Sequence, residues 1–253
     1  MKILISPAKS LDYESALPIE DYTQPNFLKQ AEELNTRLKE MSKKEIAALM
    51  KISDKLSELN YERFHDFHLP FTPANSRPAI FAFSGDVYVG LDAYTLEQDK
   101  FAVLQEKLRI LSGLYGILKP LDLMQPYRLE MGTKLNIGIA KNLYEYWGNH
   151  LTDFLNQEMK EGEYIINLAS NEYFKSIQPK RLKSKLITPV FKDYKNGEFK
   201  IIAFHAKKAR GSMVRFIIEN NITNLEGIQT FNTGGYAYSE KETLDENNPV
   251  FTR

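Results

Sequence analysis

The chain has 253 residues, with 33 lysine and arginine residues against 33 aspartate and glutamate residues, so it is formally neutral and is not a polycation. It contains no cysteine, which excludes disulfide bonds, a thiolate nucleophile and an iron–sulfur site made by this chain. No apolar run approaches the roughly 20 residues that span a bilayer, and the first ten residues are too polar for a secretory signal. We therefore expect a cytoplasmic protein with no membrane partner.

The first half of the chain alternates between short apolar runs and helical patterns. Residues 2–6 form an apolar run stopped by Pro7, which predicts a buried strand. Residues 26–55 carry apolar side chains at three- and four-residue steps, with Ser42 as a helix N-cap. Residues 79–83 predict a second short strand.

A longer helix is predicted for residues 95–111, where apolar residues form one stripe and Gly113 is placed to end the helix. Residues 143–159 predict another amphipathic helix, with Gly162 just beyond it. Residues 164–170 then have the composition of a strand.

The last third contains the clearest hairpin signal. Two apolar runs flank Asn196 and Gly197, a pair that accepts the positive φ angles of a type I′ turn. Residues 209–220 predict a helix, and two short strands follow near the end of the chain. No linker or repeat divides the sequence, so we predict a single domain over residues 1–253. Its fold class is α+β (mixed α/β), with a mixed, partly antiparallel sheet surrounded by helices.

Four predicted strands end in small and polar residues. Residues 2–6 lead into Lys9, residues 79–83 into Asp86, residues 164–168 into Asn171, and residues 200–204 into Lys207. The carboxyl ends of parallel strands meet at one edge of a sheet, where ligands bind. We therefore expect a shared polar cleft, although ordinary polar loops would give the same pattern.

The segment "GLYG" at residues 113–116 weakly resembles the turn of a helix–hairpin–helix element. In such an element, backbone amides at glycines approach a nucleic-acid phosphate without reading bases. In this sequence, Gly113 and Gly116 would be the glycines of that turn. Spacing alone favours a glycine helix cap followed by a compact loop.

Two further groups of residues suit an anionic partner. Arg128 and Glu130, two residues apart, would point the same way in an extended segment, beside the stacking surface of Tyr127. Basic residues also gather near the start of the helix predicted at residues 209–220. Each group has an ordinary alternative, a structural ion pair or a solvated face.

Metal and nucleophile motifs are weak or absent. His65 and His68 would share one face of a helix, but one ligand pair does not make a metal site, and we predict no metal and no cofactor. There is no phosphate-binding glycine motif or nucleophile elbow. A hydrolytic enzyme would have to use Lys9 and carboxylates, so the catalytic candidates are Lys9, Asp86, Glu130 and Glu172.

Several blocks resemble the YaaA family. They are "ISPAKSLDY", "FSGDVYVGL", "RILSGLYGILKPLDLMQPYRLEMGT", "INLASNEYFK", "AKKARGSMVRFI" and the ending "GYAY…VFTR". They occur in the family's order and cover essentially the whole chain.

The resemblance implies a bacterial protein of the hydrogen peroxide stress response that limits free intracellular iron. It also implies DNA binding by a positively charged cleft and a helix–hairpin–helix element on an unusual mixed fold. We expect a monomer that contacts double-stranded DNA through its phosphates. The alternative is an enzyme acting on a nucleic-acid base or a nucleotide in the same cleft. The candidate nucleic-acid-binding residues are Lys9, Gly113, Gly116, Lys119, Arg128, Asn171, Lys175, Lys207, Lys208, Arg210 and Arg215.

Overall fold

The computed structural model describes residues 1–253, in which helices and strands are mixed along the chain. The α-helices are α1 (Leu28–Lys39), α2 (Lys43–Met50), α3 (Asp54–Asp66), α4 (Ala79–Ala82), α5 (Asp86–Leu91), α6 (Lys100–Lys107), α7 (Leu143–Trp147), α8 (His150–Glu158), α9 (Asn171–Phe174), α10 (Ala203–Glu219) and α11 (Leu225–Gln229). The strands are β1 (Lys2–Ile5), β2 (Ser10–Leu11), β3 (Arg77–Pro78), β4 (Phe83–Ser84), β5 (Leu108–Ser112), β6 (Gly116–Leu118), β7 (Leu123–Met124), β8 (Tyr164–Asn167), β9 (Lys185–Ile187), β10 (Val190–Lys195), β11 (Glu198–Lys200), β12 (Ala237–Tyr238) and β13 (Val250–Thr252).

The main sheet has five strands in the order β6-β5-β1-β8-β9. β1 lies at its centre and pairs in parallel with β5 on one side and β8 on the other, and β9 continues the parallel array. Only β6 is antiparallel. All four residues of β1 are buried, as expected for a central parallel strand covered on both faces.

A second sheet has four strands in the order β11-β10-β13-β12. β10 pairs in parallel with β13, whereas the pairs β10 with β11 and β12 with β13 are antiparallel. Two further pairs of short strands, β2 with β4 and β3 with β7, are antiparallel. The α+β class with a mixed, partly antiparallel sheet is therefore confirmed.

One hydrophobic cluster extends from Met1 to Phe251 and joins the two sheets. Trp147 is fully buried against Phe27, with ring centroids 5.6 Å apart. None of the helices combines the length and the apolar composition that crossing a membrane requires.

Three local signals in the sequence are confirmed. Ser42 caps α2 in a reciprocal capping box with Glu45. Asn196 and Gly197 both have positive φ, at 56° and 87°, and join β10 to β11. The helix predicted for residues 143–159 is present as α7 and α8, which are separated at Gly148, where φ is 46°.

The helix predicted for residues 95–111 is wrong at both ends. Residues 93–95 form a short 3-10 turn, α6 covers only Lys100–Lys107, and Leu108–Ser112 is the buried strand β5. A strand that is buried on both faces does not alternate between apolar and polar residues. The apolar residues of β5 therefore happened to continue the helical spacing of α6, and the sequence pattern predicted one long helix.

The helix–hairpin–helix reading of residues 113–116 is also wrong. These residues join β5 to β6, an antiparallel pair in which Ser112 lies opposite Gly116. Gly113 is needed because a Cβ there would lie 2.2 Å from the carbonyl oxygen of Leu129, and Gly116 has φ +67°. These glycines serve close packing within a strand hairpin.

Two predicted strands are mostly helical. Residues 79–82 form α4, and only Phe83 and Ser84 are extended. In the segment 200–204, β11 ends at Lys200 and α10 begins at Ala203. Lys207 therefore lies in a helix. Five-residue apolar runs carry too little periodicity to separate a strand from a buried helical turn.

Candidate functional site

A single cleft opens at the carboxyl ends of β1 and β8. Residues 6–10 follow β1 and residues 168–173 follow β8, and both segments line it. In the sheet, β5 lies on one side of β1 and β8 on the other. The connections from β1 and from β8 to their next parallel strands therefore run in opposite directions, which makes the gap between β1 and β8 a topological switch point. Ligands of open parallel sheets bind at such switch points. We call this cavity, of about 620 Å³, the central cleft.

Serine side chains tie these two segments together. The hydroxyl of Ser6 accepts a hydrogen bond from the backbone amide of Ser170 at 2.9 Å, and the two hydroxyls lie 3.2 Å apart. The hydroxyl of Tyr88 donates to the carbonyl of Ser6 at 3.1 Å. Burial raises the pKa of Tyr88 well above its usual range, so this hydroxyl stays neutral beneath the cleft.

A third wall is brought in by the pairing of β2 with β4. Ser10 lies opposite Ser84 in this pair, so the segment that follows β4 reaches the loop that follows β1. Gly85 and Asp86 continue from Ser84 into the cleft lining. Asp86 is the first residue of α5, and its carboxylate forms no hydrogen bond or ion pair within the protein.

The fourth wall is α10, which packs closely on α5 through two glycines. A Cβ on Gly211 would lie 1.8 Å from the carbonyl oxygen of Val87, and one on Gly90 would lie 2.0 Å from that of Lys208. The backbones can approach this closely only without side chains. The contact places Lys207 and Arg210 of α10 in the same cleft as Asp86.

The cleft lining is electrically balanced, since it carries the cations Lys9, Lys207 and Arg210 and the carboxylates Asp86, Glu130 and Glu172. Glu130 pairs with two cations, since its oxygens lie 2.8 Å from Nζ of Lys9 and 3.2 Å from Nη2 of Arg128. Glu172 accepts a hydrogen bond from the amide of Gly132 at 2.9 Å. Lys207 and Arg210 have no carboxylate partner, so they are the cations left for a ligand.

The sequence predicted that Lys9, Asp86, Asn171 and Lys207 meet in one cleft, and all four line it. The structure brings them together differently from the prediction. Of the four segments that precede these residues, only β1 and β8 are parallel strands of the same sheet. Arg210 also lines the cleft. Arg128 lies beside it, in an adjoining small cavity shared with Lys9 and Glu130.

Four other candidates lie outside the cleft, and two of them are buried. Gly113 and Gly116 are enclosed by the protein, and the carbonyl of Gly113 accepts a hydrogen bond from Nε1 of Trp147 at 3.1 Å. Lys119 lies in a second cavity together with Lys2, at the amino end of β1, and pairs with Glu158 at 3.1 Å. Lys175 lies over the ring of Tyr144, 5.0 Å from its centroid.

The last two candidates are on α10 but do not reach the cleft. Arg215 donates to the carbonyl of Asp92 and the hydroxyl of Thr95, both at 2.8 Å, and pairs with Glu219 at 2.8 Å. It therefore fastens α10 to the segment after α5. Lys208 is exposed beside Lys207.

A helical hairpin that the sequence analysis did not single out lies elsewhere. α2 and α3 pack on each other and are joined by residues 51–53, where Lys51 has φ 53° and Ser53 caps α3 by accepting from the amide of Leu56. The exposed lysines of this hairpin are Lys43, Lys44, Lys51 and Lys55. The signal was present in the sequence as two N-cap serines, Ser42 and Ser53, eleven residues apart.

Potential metal ligands do not converge in this structure, where no group of three or more histidine, aspartate or glutamate side chains is placed to hold an ion. Nδ1 of His65 lies 2.8 Å from the carbonyl of Tyr61, and Nδ1 of His68 lies 2.6 Å from that of Asp66. Each imidazole is thus engaged by its own segment of chain.

Comparison with known proteins gives full-length matches. A family model described as "Peroxide stress protein YaaA" matches residues 1–242. A UPF0246 protein of Aliivibrio fischeri is 55% identical over 245 residues, covering 96% of this chain and 95% of the relative. A UPF0246 protein of Flavobacterium johnsoniae is 54% identical over 253 residues, covering 100% of both chains. With a family model over nearly the whole chain and relatives at this identity, the chain belongs to the family of the peroxide stress protein YaaA.

Proposed function

We propose that this protein acts in the response to peroxide by binding double-stranded DNA through phosphate contacts at the central cleft. The observation that carries the proposal is that Lys207 and Arg210 face the cleft without a carboxylate partner. Lys208, next to Lys207 on α10, is also exposed. Cations that the protein leaves unpaired are available to replace the counterions of a phosphate backbone.

We also propose that the α2–α3 hairpin, and not residues 113–116, serves as the helix–hairpin–helix element that the family resemblance implies. Its turn carries Lys51, and its exposed faces carry Lys44, Lys55 and Lys43, the last of which pairs with Glu58 at 2.7 Å. We include it in the proposal as a second phosphate contact. That the protein limits free intracellular iron is the remaining part of the proposal, and it is supported by the family resemblance alone.

The salt dependence of DNA affinity tests this mode of binding. Lys207→Gln is expected to reduce the slope of log affinity against log salt concentration by about 1, because one phosphate contact is lost. Lys51→Gln should reduce it by a similar amount if the hairpin touches DNA. The measurement is fluorescence anisotropy with a short duplex between 50 and 200 mM salt.

Lys183→Gln is the matched control, since Lys183 is an exposed lysine in the basic segment 180–185 and does not line the cleft. Its slope should equal that of the unmodified protein. A wild-type affinity that does not change with salt would refute phosphate-mediated binding.

A second candidate function is an enzyme that acts on a nucleic-acid base or a nucleotide. The observation that favours it is the presence of Asp86, Glu130 and Glu172 in the same cleft. Three carboxylates repel a phosphate backbone, so a purely electrostatic groove would not be expected to carry them. They suit proton transfer and the binding of hydroxyl and amino groups.

Substitution of the carboxylates separates the two functions. If the cleft is catalytic, Asp86→Asn and Glu130→Gln are expected to bind duplex DNA at least as tightly as the unmodified protein but to lose protection of cells against hydrogen peroxide. Survival of a strain that carries each variant as its only copy measures this. Full protection by both variants would argue strongly against the enzyme.

A further inference from the structure

Arg210 differs from every other arginine of the chain. The eight others each donate at least one hydrogen bond to a protein oxygen or pair with a carboxylate. Arg210 does neither, although it is partly buried and lines the central cleft. Burial lowers the pKa of its guanidinium, and no anionic neighbour opposes this. A partly desolvated charge with no partner in the protein favours an anion that comes from outside the chain.

Lys207 provides the second half of an anion site. It precedes Arg210 by three residues on α10, so the two side chains emerge on the same face of the helix, and both line the cleft. A planar guanidinium beside a mobile ammonium suits the oxygens of a phosphate group.

The size and lining of the cleft limit what the rest of the ligand can be. Its volume of about 620 Å³ lies within the range of small-molecule sites, roughly 300–1,000 Å³. The adjoining wall formed by β4 and α5 offers the hydroxyl of Ser84 and the unpaired carboxylate of Asp86, and the segment after β8 offers the hydroxyl of Ser170 and the side-chain amide of Asn171. The carboxylate of Asp86 would repel a simple anion, whereas it can accept hydrogen bonds from sugar hydroxyls and base amino groups.

We propose that the central cleft binds a nucleoside 5′-monophosphate, with its phosphate on Arg210 and Lys207 and its hydroxyl groups donating to Asp86. The ligand therefore combines one phosphate monoester with several hydrogen-bond donors. The inference rests on the proposed role of this cleft in binding phosphate and extends it to a free ligand of one nucleotide. The site lies at the switch point of the parallel strands, where mononucleotides bind in folds of this kind.

Calorimetric titration of the full chain with each of the four ribonucleoside 5′-monophosphates tests the proposal. At least one nucleotide is expected to bind with one-to-one stoichiometry. The matching nucleoside and inorganic phosphate should each bind about tenfold more weakly or worse. Arg210→Gln should weaken the nucleotide by about tenfold or more, because a charged hydrogen bond is lost. Arg181→Gln, which removes an exposed arginine outside the cleft, should leave the affinity unchanged.

Three results would overturn the proposal: no nucleotide binds, Arg210→Gln binds as tightly as the unmodified protein, or inorganic phosphate binds as tightly as the nucleotides. Thermal unfolding of Arg210→Gln checks that the variant is folded, and Lys207→Gln provides an independent variant of the same site.

Duplex DNA affinity measured on the same samples separates this inference from the proposed function. Loss of nucleotide binding with DNA binding intact overturns the inference alone. Nucleotide binding without any DNA binding supports the inference and removes the proposed DNA function.

Discussion

Gly211→Ala is expected to lower the free energy of unfolding by about 3 kcal/mol, because overpacking of this severity forces two helices apart. The new Cβ would lie 1.8 Å from the carbonyl oxygen of Val87 and 2.7 Å from the amide nitrogen of Leu91. Both are backbone atoms, so no side-chain rotation can relieve the clash. For a chain of this size, the loss corresponds to a fall in melting temperature of roughly 6–12 °C.

Urea unfolding followed by circular dichroism measures this effect. Ser212→Ala is the matched control at the next position of α10, since it adds no atom and removes only a 3.3 Å hydrogen bond to the carbonyl of Gly90. Its cost should stay near 1 kcal/mol. If Gly211→Ala unfolded at the same urea concentration as the unmodified protein, the close α5–α10 contact would be disproved.

Glu158→Gln is expected to cost about 3–5 kcal/mol, because it leaves the guanidinium of Arg109 charged and buried without its counter-ion. Arg109 is 2% exposed on β5, and its Nε and Nη2 lie 2.6 and 2.9 Å from the two carboxylate oxygens of Glu158. Lys119 adds a second cation at 3.1 Å. Urea unfolding at pH 7 measures the loss.

The control for this change is an exposed ion pair made by the same helix. Arg181→Gln breaks the pair with Asp153 of α8, in which both side chains are about half exposed, and should cost less than about 1 kcal/mol. Equal costs for the two variants would show that Arg109 does not depend on Glu158.

The pair also gives a pH dependence. Burial raises the pKa of Glu158, but hydrogen bonds and charge from Arg109 and Lys119 outweigh it and hold the pKa below the ordinary value. A carboxyl whose pKa is depressed by folding stabilises the protein fully above its unfolded-state pKa of about 4.3. That contribution is lost as the pH falls through the lower folded-state pKa, so Glu158→Gln should lose less stability than the unmodified protein in this acidic range.

Short-range signals made part of the fold predictable. The N-cap at Ser42 and the turn at Asn196 and Gly197 depend on residues within four positions of one another, so the sequence contains all the information that sets them. β5 was predicted as helix because its burial on both faces is decided by β1, which lies about a hundred residues earlier. The spacing of apolar residues within one segment contains no information about a partner strand so far away in the sequence.

The same distinction holds for the central cleft. Lys9 and Asn171 could be placed because each directly follows a strand that the sequence shows plainly. The roles of Gly90 and Gly211 could not be predicted, because each glycine is required only by the close contact between α5 and α10. The pairing of Lys9 with Glu130, which removes a cation from the site, also joins residues that are far apart in the sequence.

The order of strands in the main sheet has a consequence for synthesis. β1 finds its first partner in β5, and Ile3 lies opposite Leu108 in that pair. At about 5–20 residues per second, a ribosome needs roughly 5–20 s to add the intervening segment. During that interval the apolar residues of β1 have no partner strand and stay exposed. The nascent chain therefore presents an aggregation-prone segment, which a holding chaperone would bind until β5 has been synthesised.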